Sequence, residues 1–218
     1  MDGLPFFEYL REYQADLGFE TYRHAVLSIQ VLLVAAAIGV GFAVAVYRSR
    51  WARTLLVSVA VVAFTIPSLA LLGVLQPLLG LGLQTVFPVL VLYALLPIIR
   101  NSIVGLRGVD PTLLDAATGL GMSRSRILLR IELPLAWPVM LTGLRVSAQM
   151  TLGIAAIGAF FAGPGLGTYI FHALSAVGSV NTFNEALAAT LLVTALALLF
   201  DLAFVLIRRL TTPRGIRV

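Results

Sequence analysis

Apolar residues in this chain gather into five long stretches, and most charges lie between them. The first runs from Ala25 to Tyr47 and the second from Thr54 to about Leu75, with Pro67 inside it. The third, about Leu83 to Ile99, is short and carries Pro88 and Pro97. The fourth, about Leu135 to Phe161, is long and contains Arg145 and Gln149; the fifth covers about Ala186 to Ile207. Crossing a bilayer core takes roughly 20 residues at helical rise, so the third stretch is marginal unless its neighbours shield its ends. Prolines inside the second and third require that the carbonyls they free find partners in a bundle. The pattern predicts an all-α, polytopic membrane bundle of about five transmembrane helices.

Composition agrees with that solvent. Hydrophobic residues make up 60% of the 218 and charged residues 11%, against about 25% charged in soluble domains. Net charge is +5 and every basic residue is arginine. In a soluble protein such basicity would suggest nucleic acid; here the arginines sit at span ends, so the partner is the lipid bilayer and no nucleic acid is expected. With no cysteine there is no disulfide, thiolate metal site or cysteine nucleophile. With no lysine there is no phosphate-cradling GxxxxGK[ST] loop. Paired carboxylates, metal-ligand clusters and a Ser/His/Asp arrangement are also missing. The chain therefore reads as a non-enzyme without catalytic residues, metal or cofactor of its own.

Arginine positions set an orientation. Arg48, Arg50 and Arg53 follow the first span, and Arg100, Arg107, Arg124, Arg126 and Arg130 lie between the third and fourth. Arg208, Arg209, Arg214 and Arg217 follow the fifth, placing 12 of 15 arginines on one face. The other face has Arg11 and Arg23 among Asp2, Glu8, Glu12, Asp16 and Glu20. The positive-inside rule makes the arginine-rich face cytoplasmic, with the N-terminus outside and the C-terminus inside, as an odd number of spans requires. No cleavable signal peptide is expected, because the first residues are acidic and aromatic rather than basic and apolar. Three parts follow: residues 1–24 as an interfacial extracytoplasmic segment, 25–207 as the membrane domain, and 208–218 as a cytoplasmic tail.

Several residues have a structural reading that comes first. Arg145 and Gln149 share a helical face; Arg145 is expected to snorkel to the cytoplasmic interface or pin neighbouring carbonyls, ahead of a gating role. Ser147, Thr151, Ala155 and Ala159 form one small-residue stripe, and Ala35, Gly39 and Ala43 another, both suited to helix packing and, less directly, to pairing two membrane subunits. His172 reads as an interfacial histidine. The glycine-rich outer loop after Phe161 is expected to dip back or lie along the outer surface.

The one long polar segment in the interior of the chain is Asp115 to Pro134, DAATGLGMSRSRILLRIELP. Asp110-Pro111 opens a helix, since the carboxylate accepts orphan N–H bonds and proline fits the first turn. Gly119 and Gly121 allow a stop and turn. Ser123 is a candidate cap for a second helix through Ile127 and Ile131, ending where Pro134 interrupts hydrogen bonding. Residues 110–134 thus form helix, turn, helix across one mouth of the bundle.

The spacing D-A-A-x3-G-x9-I-x-L-P, from Asp115 through Gly121 and Ile131 to Pro134, resembles the cytoplasmic signature of permease subunits of binding-protein-dependent ABC importers, usually E-A-A-x3-G-x9-I-x-L-P. Asp115 for glutamate is the one departure, keeping the acid one methylene shorter. TIPSLALLGVLQPLLGLG, YALLPIIRNSIVGLRGVDPTLLDAA, ELPLAWPVMLTGLR and FAGPGLGTYIF resemble the quaternary-amine branch, which imports glycine betaine, carnitine, choline or related osmoprotectants. The resemblance implies a type I ABC importer permease fold. It implies that Asp115, Ala116, Ala117, Gly121, Ile131, Leu133 and Pro134 belong to coupling helices seated in a cleft of the ATPase. The implied partners are cytoplasmic ATPase subunits that bind ATP and Mg, an extracytoplasmic binding protein and a second permease, all as separate chains. An ion-coupled secondary transporter or a related importer for another small solute, such as an amino acid, is the alternative.

Overall fold

The structure, a computed structural model, describes residues 3–212. Arg214, Arg217 and most of the expected tail lie outside the described residues, as does Asp2. A short helix α1 (Phe6–Glu12) leads to the long α2 (Gln14–Val46). Thus part of the segment expected to lie at the interface is the first portion of the spanning helix, which begins at Gln14 rather than Ala25. Tyr9 is buried with Leu17 and Ala188, and the Leu4 backbone is held by Asn181 and Asn184 (Leu4 N to Asn181 Oδ1 2.7 Å; Asn184 Nδ2 to Leu4 O 2.6 Å).

The second apolar stretch is two helices, not one. α3 (Arg50–Thr65) starts with the Ser49 hydroxyl accepting from Ala52 N, and α4 (Ser68–Leu79) leaves it at 89°. Pro67 forces Ile66 into extended backbone, which ends α3. The carbonyl freed at Ile66 is satisfied by the Tyr93 hydroxyl. Apolar composition continues across the break, which is why the stretch reads as a single span.

The third is longer than expected. α5 (Leu83–Arg107) runs 25 residues through both Pro88 and Pro97 and well past Ile99. Of the polar residues in its last turns, the Asn101 amide donates to Pro97 O at 2.9 Å, while the Ser102 hydroxyl is buried without a partner. The remaining elements are α6 (Pro111–Gly119), α7 (Arg124–Ile127), a π-turn (Leu128–Glu132), α8 (Leu133–Gly158), a 3₁₀ turn (Ala159–Phe161), α9 (Gly167–Ser175) and α10 (Thr182–Thr211). Among the described residues, four helical rods are long and apolar enough to cross a membrane, or five if the bent α3–α4 pair counts as one.

α5 is the axis of the bundle. Its residues Val86, Leu90 and Ile98 meet Leu27, Val31 and Ala35 of α2 and Ala155 of α8 in the main core. Backbones approach closely there: a Cβ on Gly143 of α8 would stand 2.7 Å from Pro97 O of α5, and one on Gly39 of α2 would stand 2.8 Å from Ile98 Cγ2. Ser147 donates to Ala94 O at 2.7 Å. Ala35, Gly39 and Ala43 on α2, and Ser147, Thr151 and Ala155 on α8, are therefore buried within this chain. The suggestion that two subunits pair through these residues does not hold, since α5 already covers them. By contrast, α3 buries no residue, and most of α10 is open.

Charge separates along the bundle. One end gathers Arg48, Arg50, Arg53, Arg107 and Arg124; the other gathers Asp16, Glu20 and Glu185 around Tyr169 and His172. His172 Nδ1 lies 2.9 Å from Glu185, so it is a surface residue hydrogen-bonded to that carboxylate.

Candidate functional site

At the arginine-rich end, α6 forms as its sequence dictates. Asp110 accepts from Thr112 N at 2.9 Å, and Pro111 occupies the first turn. The bond from Thr112 N, then the Thr112 side chain, holds the Asp110 carboxyl below the ordinary aspartate value. The helix closes in a Schellman motif: Met122 N donates to Ala117 O at 3.1 Å and Gly121 N to Thr118 O at 2.9 Å. Gly121 takes φ +78°, the left-handed backbone that this motif demands. The spacing from Ala117 to Gly121 is thus the geometry of one helix stop.

α6 has two faces. Ala117 is buried, and Pro111, Leu114 and Thr118 turn towards a cleft against the bundle. Leu113, Ala116 and Leu120, spaced on the other side, are exposed together with Asp115; Leu120 is 84% exposed. Large apolar groups displayed beside a small one form a surface suited to close protein contact.

Beyond the turn, Ser123 makes no capping bond; its hydroxyl lies 3.3 Å from the Ser125 hydroxyl. Nor does the second helix end at Pro134. α7 passes through the π-turn, where Leu133 N donates to Leu128 O, into α8, giving one helical run from Arg124 to Phe161 of 38 residues. Proline is tolerated because it stands at the first positions of α8, just past the widened turn. Ile131 is half-buried in the π-turn, Leu133 packs against the cluster of Tyr47, Leu106, Ala136 and Met140, and Pro134 is exposed. Asp115, Ala116, Ala117 and Gly121 therefore belong to the projecting helix and its turn, whereas Ile131, Leu133 and Pro134 belong to the joint with the bundle. They are not one contact surface.

That joint is locked by a residue the motif does not name. Glu132 is 2% exposed and accepts from the Tyr47 hydroxyl at 2.7 Å and from Arg48 Nη2 at 2.9 Å. The clamp ties the end of α2 to the π-turn. Its signal in the sequence was a lone acid between Asp115 and Glu185 in a run of arginines.

Arg145 does not snorkel. It reaches across to α10 and pairs in bidentate fashion with Asp201, Nε to Oδ1 at 2.5 Å and Nη2 to Oδ2 at 2.6 Å. Gln149 Nε2 donates to Ala197 O at 3.1 Å, one turn along both helices. Each of the two expected spans carries a single charge, of opposite sign, and a membrane favours their pairing.

The chain is similar to known membrane proteins in both sequence and fold. The model of a family described as "Binding-protein-dependent transport system inner membrane component" matches residues 37–213. The choline transport system permease protein OpuBB of Bacillus subtilis (strain 168) is 32% identical over 210 residues, covering 96% of this chain and 95% of that protein. The carnitine transport permease protein OpuCB of Listeria monocytogenes is 31% identical over 217 residues, covering 100% and 97%. Among solved structures, inward facing MetNI methionine ABC transporter matches with a TM-score of 0.81 at 19% identity, covering 93% of this chain and 99% of that one. That last likeness concerns the fold alone.

Proposed function

The chain belongs to the family of binding-protein-dependent transport system inner membrane components, and from that premise we propose that it is the permease of an ATP-driven importer for choline, carnitine, glycine betaine or a related quaternary amine. The chain is a multi-pass membrane transport subunit. Its arginine-rich end faces the cytoplasm and its acidic end, with α1, lies at the outer surface. Two ATPase subunits dock below, binding ATP and Mg. A binding protein delivers solute above, and a second permease, identical or a paralogue, completes the pathway. The substrate class follows the choline and carnitine transport systems of relatives that align over nearly the whole chain.

The observation that carries the coupling role is the unbroken helical run from Arg124 to Phe161, with α6 projecting from its base. Leu113, Asp115, Ala116 and Leu120 form the contact with the ATPase, and Ala117 and Gly121 set the angle of that helix. A shift of α6 as the ATPases close reaches α8 through Ile131, Leu133 and Pro134. The Glu132 clamp carries it to α2, and the Arg145–Asp201 pair carries it to α10. The spans then tilt between inward and outward openings.

Affinity purification of the tagged chain, expressed with its neighbouring subunits, tests the docking role. ATPase is expected to co-purify with the unaltered chain and to be lost from Leu113→Asp/Leu120→Asp. Equal ATPase recovery from the two forms, both inserted in the membrane, would remove α6 from the interface.

A further inference from the structure

Behind α6, on the side away from Leu113 and Leu120, lies a cleft of about 570 Å³ bounded by the ends of α2, α3 and α5 and by the start of α7. Arg48, Arg50, Arg53, Arg107 and Arg124 line it against a single acid, Glu132. Glu132 is occupied by Tyr47 and Arg48, so it leaves the other four uncompensated. Arg53 donates to the Tyr47 carbonyl at 3.2 Å, a bond that removes no charge. Among the described residues, Arg50, Arg107 and Arg124 have no ion pair. Arg50 and Arg53 also stand in the first turn of the 16-residue α3, where the helix dipole is positive and no acid is present. Like charges are thus concentrated in a half-enclosed recess, which raises its potential and draws an anion.

We infer that this cleft binds the phosphate of an anionic phospholipid. Guanidinium forks suit phosphate oxygens, and basic pockets between helix ends at a membrane surface suit acidic headgroups. A lipid fits better than free phosphate because a second, more apolar groove shares Arg50 with the cleft. This groove, lined by Arg50, Trp51, Thr54, Leu55 and Ser58, runs along α3, whose Leu55, Val59 and Val62 are exposed. Trp51, 80% exposed at the start of α3, suits the headgroup level, where indoles favour the interface. The phosphate lies among the arginines and an acyl chain follows α3. Leu114 and Thr118 of α6 border the same cleft, so its occupant sets how closely α6 lies against the bundle. Binding depends on the cleft alone; only that effect on α6 rests on the coupling role.

The test is native mass spectrometry of the purified complex, delipidated in detergent and then given phosphatidylglycerol, phosphatidylcholine or inorganic phosphate. The unaltered complex is expected to retain phosphatidylglycerol and shed phosphatidylcholine. Each of Arg50→Gln, Arg107→Gln and Arg124→Gln weakens phosphatidylglycerol retention by about fivefold, given the usual attraction per arginine at an anionic surface. Arg11→Gln, at the far end, is expected to leave retention unchanged, and Arg107→Lys/Arg124→Lys to keep most of it. Equal retention of the two lipids overturns the inference, as does retention unaffected by removing all three arginines. Displacement of the lipid by millimolar inorganic phosphate assigns the cleft to free phosphate and overturns the lipid. If a variant fails to assemble, the contrast between lipids in the unaltered complex still decides. Phosphatidylglycerol retained by a complex lacking ATPase leaves this inference standing and removes the coupling role.

Discussion

Glu132 concentrates at one position the chemistry that joins the projecting helix to the bundle. Its carboxylate is buried, and its two donors come from the end of another helix. Glu132→Ala strands the Tyr47 hydroxyl and the Arg48 guanidinium, at an expected cost of about 1–3 kcal/mol. Glu132→Gln keeps an acceptor for Tyr47 and is expected to cost less. Thermal unfolding of the purified complex checks both, and equal melting temperatures for all three forms would mean the clamp contributes nothing. The Arg145–Asp201 pair poses the same question inside the membrane, where side chains 42% and 33% exposed in the isolated chain still need a polar partner. Asp201→Asn is expected to lower the melting temperature by several degrees, and the exchange Arg145→Asp/Asp201→Arg to recover a good part of it. No recovery in the exchanged form would show that the pair is read by some third group.

Helices were legible where pattern and stereochemistry agreed. Asp110, Pro111 and Gly121 marked the start and stop of α6 where the structure has them, and the apolar runs located α2, α5, α8 and α10 though not their ends. Gly121→Val forces a β-branched residue into a left-handed backbone, costing roughly 1–2 kcal/mol, with open space around the position. The expected result is a membrane domain of normal yield whose ATP hydrolysis no longer drives uptake; unchanged ATP-driven uptake would count against the turn as a coupling element. Gly143→Ala tests packing instead, because its new methyl meets the Pro97 carbonyl. Overpacking of this kind costs about 1–3 kcal/mol and should reduce melting temperature, which an unchanged melt would refute. What the chain concealed has physical reasons. Proline is compatible with a kink or a break, so Pro67 gave no sign of the 89° bend, while Pro88 and Pro97 passed through a continuous helix. A π-turn has no composition of its own, and Arg145 finds Asp201 at 56 positions' remove.

At the scale of the molecule, the bundle is polarised: a cationic end bearing a projecting helix, an acidic end bearing α1 and α9, and the buried α5 between them. Wide exposed faces on α3 and α10 leave room for lipid and for a second permease. In the importer proposed above, the energy source would lie at the cationic end and the solute supply at the other. The most direct measurement is uptake of radiolabelled glycine betaine by vesicles containing the purified complex, with the binding protein supplied outside and nucleotide inside. Uptake is expected to require ATP and the binding protein and to be indifferent to collapse of the ion gradients. Uptake that continues without ATP and stops when those gradients collapse would contradict an ATP-driven importer.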